Sequence, residues 1–249
     1  MEEPHSGPVR TWRSARGWPG ALADLALPAE CAGCGRAGVV LCGRCRALLC
    51  GARAWPVRPE PPPRGLPPVF AASGYRGPVR AVLLAHKERG VLPLARPLGE
   101  ALAVAVRSAL APAGAGPVTA GRAGGGALLV PVPSARRAVA ARGHDAMRRV
   151  TFVAAGRLRR DGLPVRALTA LRQARRVADQ AGLGARRRRA NLSGALRVPA
   201  GCRAALGDAP VVLVDDLLTT GASLAEAARA VRAAGGRVVG AAVVAAVNL

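Results

Sequence analysis

The sequence is poor in aromatic residues and contains no long apolar run. Aromatic side chains make up 2% of the 249 residues, so a core must be built from valine, leucine and alanine. Hydrophobic residues make up 51%, which excludes a chain that is disordered throughout. No run of roughly 18 apolar residues is present, and the acidic N-terminus is not followed by an apolar stretch. We therefore expect a cytoplasmic protein with no secretory signal and no membrane span.

Negative charge and lysine are also scarce. Lys and Arg number 37 against 14 Asp and Glu, which gives a net charge of +23. Such a field attracts polyanions, of which nucleic acid is the usual one, although a compositional bias that spreads arginine over the surface explains the same charge. Lys87 is the single lysine. A compact ammonium makes contacts that a planar guanidinium does not, so this position is a candidate for function.

Composition divides the chain into four segments. Residues 1–30 form an N-terminal arm, and residues 31–52 hold a cysteine module. Residues 53–68 contain seven prolines and predict a linker, because proline fits neither a helix interior nor a central strand. In residues 69–249, apolar strand-like runs alternate with helix-like segments. This alternation predicts an α/β domain whose parallel sheet is covered on both faces.

The apolar periodicity also places the individual elements of that domain. Strands are predicted at Val69–Ala72, Ala127–Val132, Val165–Leu171, Val211–Val214 and Arg237–Val247. Helices are predicted at Pro78–Arg89, Pro93–Leu110, Arg136–Arg160 and Ala222–Ala234.

The end of the strand Val211–Val214 carries the clearest functional motif. Asp215 and Asp216 follow the strand, and the chain then turns through Thr219, Thr220, Gly221, Ala222 and Ser223 into a helix. Ligands of open α/β sheets bind at the carboxyl ends of strands. The turn offers backbone N–H groups to a phosphate, and the acids suit hydroxyl groups or a hydrated divalent cation, so a sugar phosphate fits both. The plain alternative is an ordinary strand end with Asp capping a turn and Ser223 capping the helix.

Two closely spaced cysteine pairs predict a metal site. Cys31 and Cys34 form one Cys-x-x-Cys pair, and Cys42 and Cys45 form the other. Each pair places two thiolates on one tight turn, and two such turns complete a tetrahedron around structural Zn²⁺. A redox pair or a lost metal site are the alternatives.

The motif from Val211 to Ser223 resembles the signature of type I phosphoribosyltransferases, which bind phosphoribosyl pyrophosphate (PRPP) together with Mg²⁺. The resemblance implies that Asp215 and Asp216 contact the ribose hydroxyls and that residues 219–223 wrap the 5′-phosphate. It also places Arg142 at the pyrophosphate. Lys87 is either a second phosphate contact or a cation that stabilises a helix C-terminus.

The order of the motifs resembles the ComF family of bacterial, competence-associated proteins. The matching features are the cysteine module, the segment from Tyr75 to Lys87, Leu129–Pro133 with Arg142-Gly143 after it, and Gln180, Arg189, Asn191 and Leu192. His144-Asp145-Ala146 departs from the family, which has an aromatic residue and then Asn-Gln there. The arginine-rich residues 172–197 occupy the place of the mobile catalytic loop, or else form an arm for nucleic acid.

Two functions remain as expectations. The first is an enzyme that transfers phosphoribosyl from PRPP to an unidentified acceptor and releases pyrophosphate. The second is a non-catalytic adaptor that senses PRPP or a nucleotide and binds nucleic acid or a protein of the DNA-uptake machinery.

Overall fold

A computed structural model describes residues 30–51, 53–111, 126–134, 139–140, 143, 145–174 and 194–247. Its helices are α1 (Gly43–Leu49), α2 (Gly77–Lys87), α3 (Ala95–Leu110), α4 (Ala146–Arg160), α5 (Ala200–Leu206) and α6 (Ala222–Ala233), with a 3₁₀ turn at Leu92–Leu94. Its strands are β1 (Trp55–Val57), β2 (Val69–Gly74), β3 (Ala127–Pro131), β4 (Val165–Ala167), β5 (Arg172–Gln173), β6 (Leu196–Arg197), β7 (Pro210–Leu218) and β8 (Arg237–Ala246). Within the described ranges, no helix has the length and apolarity to cross a membrane.

A six-stranded sheet forms the centre of the molecule, in the order β1-β2-β8-β7-β3-β4. Strands β2, β8, β7, β3 and β4 run parallel, and β1 pairs with β2 in the antiparallel direction. A separate two-stranded antiparallel ribbon joins β5 to β6. The predicted α/β class with a mostly parallel sheet is confirmed.

Alternate side chains of the sheet enter two separate apolar cores. Val212 and Val214 of β7 pack in one core with α2, α3 and α4, and Val211 and Leu213 pack in the other with α5 and α6. All four valine and leucine side chains of this run are fully buried, because β7 lies inside the sheet with a helical layer on each face. The apolar run that predicted the strand therefore reflects burial on both sides.

The structure changes several predicted boundaries. Strand β7 continues to Leu218 rather than ending at Val214, because Leu217 and Leu218 pair with Ala245 and Ala246 of β8. Strand β4 ends at Ala167 instead of Leu171. Helix α4 begins at Ala146, where the Asp145 side chain accepts a hydrogen bond from the Arg148 backbone N–H. Residues 136–138, 141–142 and 144 of the predicted longer helix lie outside the described part of the chain.

The proline-rich residues 53–68 do more than link two modules. Residues Trp55–Val57 form the edge strand β1, where Pro56 is tolerated because an edge strand need not donate every backbone hydrogen bond. Farther along the segment, Arg232 Nη1 of α6 donates a hydrogen bond to the Gly65 carbonyl oxygen at 2.8 Å. Part of the predicted linker is thus packed onto the α/β domain.

Candidate functional site

Asp215 and Asp216 lie in the last part of β7, near the carboxyl edge of the parallel sheet. The Asp216 backbone N–H donates to Asp215 Oδ1 at 2.8 Å, which orients the first carboxylate. Lys87 Nζ donates to Asp216 Oδ2 at 2.6 Å. Lys87 is the last residue of α2, so this helix brings the single lysine of the chain to the acid pair. Two predicted site segments, far apart in sequence, therefore meet.

The two carboxyl groups of Asp215 and Asp216 share a single nearby ammonium, that of Lys87. Burial raises the pKa of Asp215 well above its usual range, the charge of Asp216 raises it further, and Lys87 only partly opposes them. Burial lowers the pKa of Lys87, but the two carboxylates outweigh burial and raise it above the ordinary value. One ammonium faces two crowded carboxyl groups, so the site favours a ligand that donates hydrogen bonds or brings positive charge.

The turn after β7 leads directly into α6. Gly221 has φ 72°, in the left-handed region, and it is the N-cap of the helix. No side chain caps the first turn, and Ser223 is already inside the helix, which differs from the alternative in which Ser223 is the cap. A 12-residue helix whose first N–H groups have no side-chain cap, placed after two carboxylates, is suited to bind an anion.

The proline-rich segment covers one side of this turn. A Cβ atom on Gly221 would lie 3.1 Å from Leu66 Cδ2 and 3.2 Å from Pro59 Cγ. Pro63 and Pro67 are buried beside these residues. The left-handed backbone angle favours glycine at position 221, and a Cβ atom there would also press on the Leu66 and Pro59 side chains. Sequence analysis did not predict this contact, because proline content alone does not show what a segment packs against.

Other predicted residues are not brought into the site by the described part of the chain. The residues that lie outside the described part of the chain are Arg142, His144, Gln180, Arg189, Asn191 and Leu192. Of the arginine-rich segment 172–197, the two ends are described, and they pair as the ribbon β5–β6. His86 is buried beside Lys87, and its Nδ1 lies 3.2 Å from the Val91 carbonyl oxygen.

A buried glutamate on α6 holds one end of that ribbon, and sequence analysis missed it. Glu226 is 5% exposed, and its Oε1 accepts hydrogen bonds from the Leu196 N–H at 3.0 Å and from Arg229 Nη2 at 2.8 Å. Arg229 Nη2 also donates to the Leu196 carbonyl oxygen at 2.9 Å. Burial raises the pKa of Glu226, but these hydrogen bonds lower it more. Glu226 is the one acidic residue of the alanine-rich helix α6, and this contrast is the feature of the sequence that could have identified it.

The four cysteines of the two pairs form one cluster. The sulfur atoms of Cys31, Cys34, Cys42 and Cys45 all lie within 4.8 Å of one another, and the Cys34 and Cys42 sulfurs are 3.7 Å apart. A tetrahedral zinc with Zn–S bonds of about 2.3 Å separates its sulfur ligands by about 3.8 Å. The cluster could therefore hold a zinc ion, as the sequence spacing predicted.

The environment of the cluster favours thiolates at two positions. Burial raises the pKa of Cys31, but the backbone N–H groups of Cys42, Gly33 and Cys34 outweigh burial and bring it to about 6. The N–H of Cys45 lowers the pKa of Cys42. Burial and the neighbouring thiols raise that of Cys45. Hydrogen bonds from backbone N–H groups to sulfur are what a bound thiolate requires.

Helix α1 joins the cysteine cluster to the main core. Its N-terminal half carries Cys45, and Cys42 is its N-cap residue, whereas Leu49 near the other end is fully buried in the core with α2, α3 and α4. Arg46 of α1 also forms an ion pair with Glu100 of α3. The neighbouring Cys50 donates from its sulfur to the Pro97 carbonyl oxygen at 3.6 Å and is not part of the cluster.

Comparison with known proteins finds no protein-family model and no curated protein that matches this chain. The geometry of the acid pair, the turn and the cysteine cluster is therefore the basis for any functional assignment.

Proposed function

We propose that this protein is a phosphoribosyltransferase of the ComF type, which binds PRPP with Mg²⁺ and transfers the phosphoribosyl group to an acceptor with release of pyrophosphate. One observation carries the proposal. Two carboxylates near the end of the inner parallel strand β7 are followed by a turn with Gly221 at φ 72° and by the uncapped start of α6. A ribose 5-phosphate has hydroxyls and a phosphate in the order that this arrangement would bind.

Each group has a role in that binding. Asp215 and Asp216 accept hydrogen bonds from the ribose hydroxyls and hold the sugar at the edge of the sheet. The N–H groups and hydroxyls of Thr219 through Ser223 hold the 5′-phosphate, helped by the positive end of α6. Lys87, which bonds Asp216 at 2.6 Å, offers its ammonium to the anionic ligand from α2. Arg142 is assigned to the pyrophosphate by the resemblance alone.

The reaction requires positioning more than covalent chemistry. The bond from the anomeric carbon to pyrophosphate breaks, the acceptor forms the new bond to that carbon, and the acceptor loses a proton to solvent. Mg²⁺ bound with PRPP would offset charge on the leaving pyrophosphate. The protein holds the sugar and the phosphate in a fixed geometry, which lowers the entropy cost of the displacement.

The direct test is a thermal shift assay with PRPP, with and without Mg²⁺. We expect the wild type to be stabilised, by about 2.7 kcal/mol at a hundredfold excess over Kd. The Asp215→Asn/Asp216→Asn variant should show no shift. Asp208→Asn is the matched control, because Asp208 is exposed and precedes β7 at its opposite end.

Catalysis is tested separately by PRPP-dependent release of pyrophosphate with a panel of nucleobases and amines. Turnover that is lost in the double variant and kept in Asp208→Asn supports the enzyme. A thermal shift without turnover for any acceptor favours the adaptor that senses PRPP. No shift in the wild type would refute PRPP binding at β7.

A further inference from the structure

One face of α4 combines exposed arginines with an exposed aromatic ring. The exposed residues of this face are Arg148, Arg149, Phe152, Arg159 and Arg160, with half-buried Gly156 between them. At 3.6 residues per turn these positions fall within an arc of about 120°. We call this set the α4 face. It lies on the side of the helix away from the buried Val150, Ala154 and Leu158.

Phe152 is an unusual residue to expose in this chain. It is 49% exposed, and it is one of only two phenylalanines among 249 residues. The Arg148 guanidinium carbon lies 5.6 Å from the centre of its ring. This cation–π contact holds a planar cation beside a planar apolar surface, which is the combination that binds a base next to a phosphate.

The charge of the α4 face is entirely positive. Helix α4 contains no acidic residue. The two carboxylates at its ends are already used, because Asp145 accepts from the Arg148 backbone N–H, and Asp161 pairs with Arg107 and Arg157. Arg148 and Arg159 are separated by eleven residues, or about 16 Å along the axis, so the four arginines form an extended row of cations.

Gly156 has no side chain, so none stands between Phe152 and the arginines near the end of α4. Gly156 stands one helical turn after Phe152, and a Cβ atom there would meet only the far ends of Arg159 and Arg160, at 4.0 and 3.6 Å. The guanidinium groups of both arginines therefore reach back toward the ring along the helix surface. Arg159 Nη1 donates to the Val165 carbonyl oxygen at 3.1 Å, and within the described residues its other N–H groups donate to no protein acceptor.

We propose that the α4 face binds single-stranded DNA, with its arginines on the phosphates and Phe152 stacked on a base. A single strand is favoured because its base faces are open to stacking, whereas those of a duplex are covered. The arginines and the ring recognise phosphates and the face of a base, which a deoxyribose strand presents in full, so no 2′-hydroxyl is required. None of its residues belongs to the acid pair or to the turn after β7, and the proposal does not depend on PRPP binding.

The test is fluorescence anisotropy with a labelled 20-nucleotide deoxyuridine strand, measured with the full chain at several KCl concentrations. Phe152→Leu should weaken binding by about five- to hundredfold with an unchanged salt slope, since it removes stacking and no charge. Phe152→Tyr should bind like the wild type. Arg148→Gln/Arg149→Gln should weaken binding and reduce the slope of log K against log salt by about 1.4.

Matched controls distinguish DNA binding by the α4 face from binding by the general positive charge of the surface. Arg80→Gln/Arg203→Gln removes two exposed arginines from α2 and α5, and Trp55→Leu removes an aromatic side chain that is 47% exposed on β1. Both should bind within twofold of the wild type. Equal weakening by the controls, or no effect of Phe152→Leu, would overturn the proposal. So would an equal loss on duplex DNA, or tenfold tighter binding of the matching uridine RNA.

Discussion

Lys87 Nζ and Asp216 Oδ2 lie 2.6 Å apart and join positions that are 129 residues apart in the sequence. The contact links the end of α2 to the inner strand β7 across the carboxyl edge of the sheet. In a chain with a net charge of +23, the acid pair is a local concentration of negative charge, and the single lysine is placed on it. Among the described residues, this ion pair places a positive charge on the acid pair and partly offsets its two carboxylates.

Replacing Lys87 by Gln should lower the free energy of unfolding at pH 7 by about 0.5–1 kcal/mol, the range for a partly exposed ion pair. The Lys87 side chain is 42% exposed. The pKa of Lys87 is higher in the folded than in the unfolded state, so its contribution to the free energy of unfolding is fully present below the unfolded pKa. That contribution is lost as the pH rises through the folded pKa. Urea unfolding at pH 7 and above pH 11 measures this difference. Arg89→Gln, an equal charge loss at an exposed neighbour, should have no effect.

Replacing Asp215 by Asn should stabilise the protein without ligand and abolish its thermal shift with PRPP. The pKa of Asp215 is raised because burial penalises the ionised carboxylate. Burying that carboxylate therefore destabilises the folded state at neutral pH, and the penalty falls as the pH drops through the folded pKa. Asparagine keeps the acceptor for the Asp216 N–H and carries no charge. We expect the melting temperature to rise by about 2–8 °C at pH 7.5, and by less at pH 4.5. A lower melting temperature at pH 7.5 would contradict this account of Asp215.

Replacing Gly221 by Ala should cost more than the same change at another glycine with positive φ. Gly235 has φ 89° and no atom within 4 Å of a Cβ, so Gly235→Ala tests the backbone angle alone, at about 1 kcal/mol. Gly221→Ala adds contacts of 3.1 and 3.2 Å to Leu66 and Pro59, and we expect a total of about 2–3 kcal/mol by chemical denaturation. Leu66→Ala in the same chain should recover part of the added cost. Equal effects at both glycines would show that the proline-rich segment does not press on the turn.

Replacing Cys31 by Ser should remove zinc from the purified protein and lower its melting temperature. Metal content is measured per chain, and Cys202→Ser, a cysteine outside the cluster, is the control. Because α1 carries Cys45 and also Leu49 of the main core, the loss should extend to the α/β domain and not only to residues 31–50. A Cys31→Ser protein with one zinc per chain would contradict the four-ligand assignment.

The sequence predicted the parts of the fold whose residues carry strong local patterns. The apolar run of β7 and the two Cys-x-x-Cys pairs indicated the inner strand and the cysteine cluster, and the turn after Asp216 indicated the start of the following helix. Lys87 was singled out because it is the only lysine, and α2 indeed brings it to Asp216. These features depend on composition and on neighbours along the chain, which a sequence displays directly.

The parts that were missed depend on contacts between distant segments. Helices α1 and α5 have seven residues each, too few for a clear periodic pattern, and tertiary packing holds them in place. Strand β1 contains Pro56 and forms only because β2 offers a free edge. The contact of Leu66 with Gly221 and the hydrogen bonds of Glu226 with Leu196 join residues more than 25 positions apart. No pattern of neighbouring residues predicts such pairs.

The position of β8 has a consequence for the order of assembly during synthesis. This strand is the last element of the sheet in the chain, yet it lies between β2 and β7 and pairs with both. While the ribosome is still translating the codons for residues 237–246, the β1–β2 pair and the β7–β3–β4 group have no strand to connect them. Lys87 follows β2 and Asp216 belongs to β7, so the two halves of the acid site are on opposite sides of that gap. A nascent chain would therefore bring Lys87 to the acid pair only after β8 has left the exit tunnel and joined the two groups of strands.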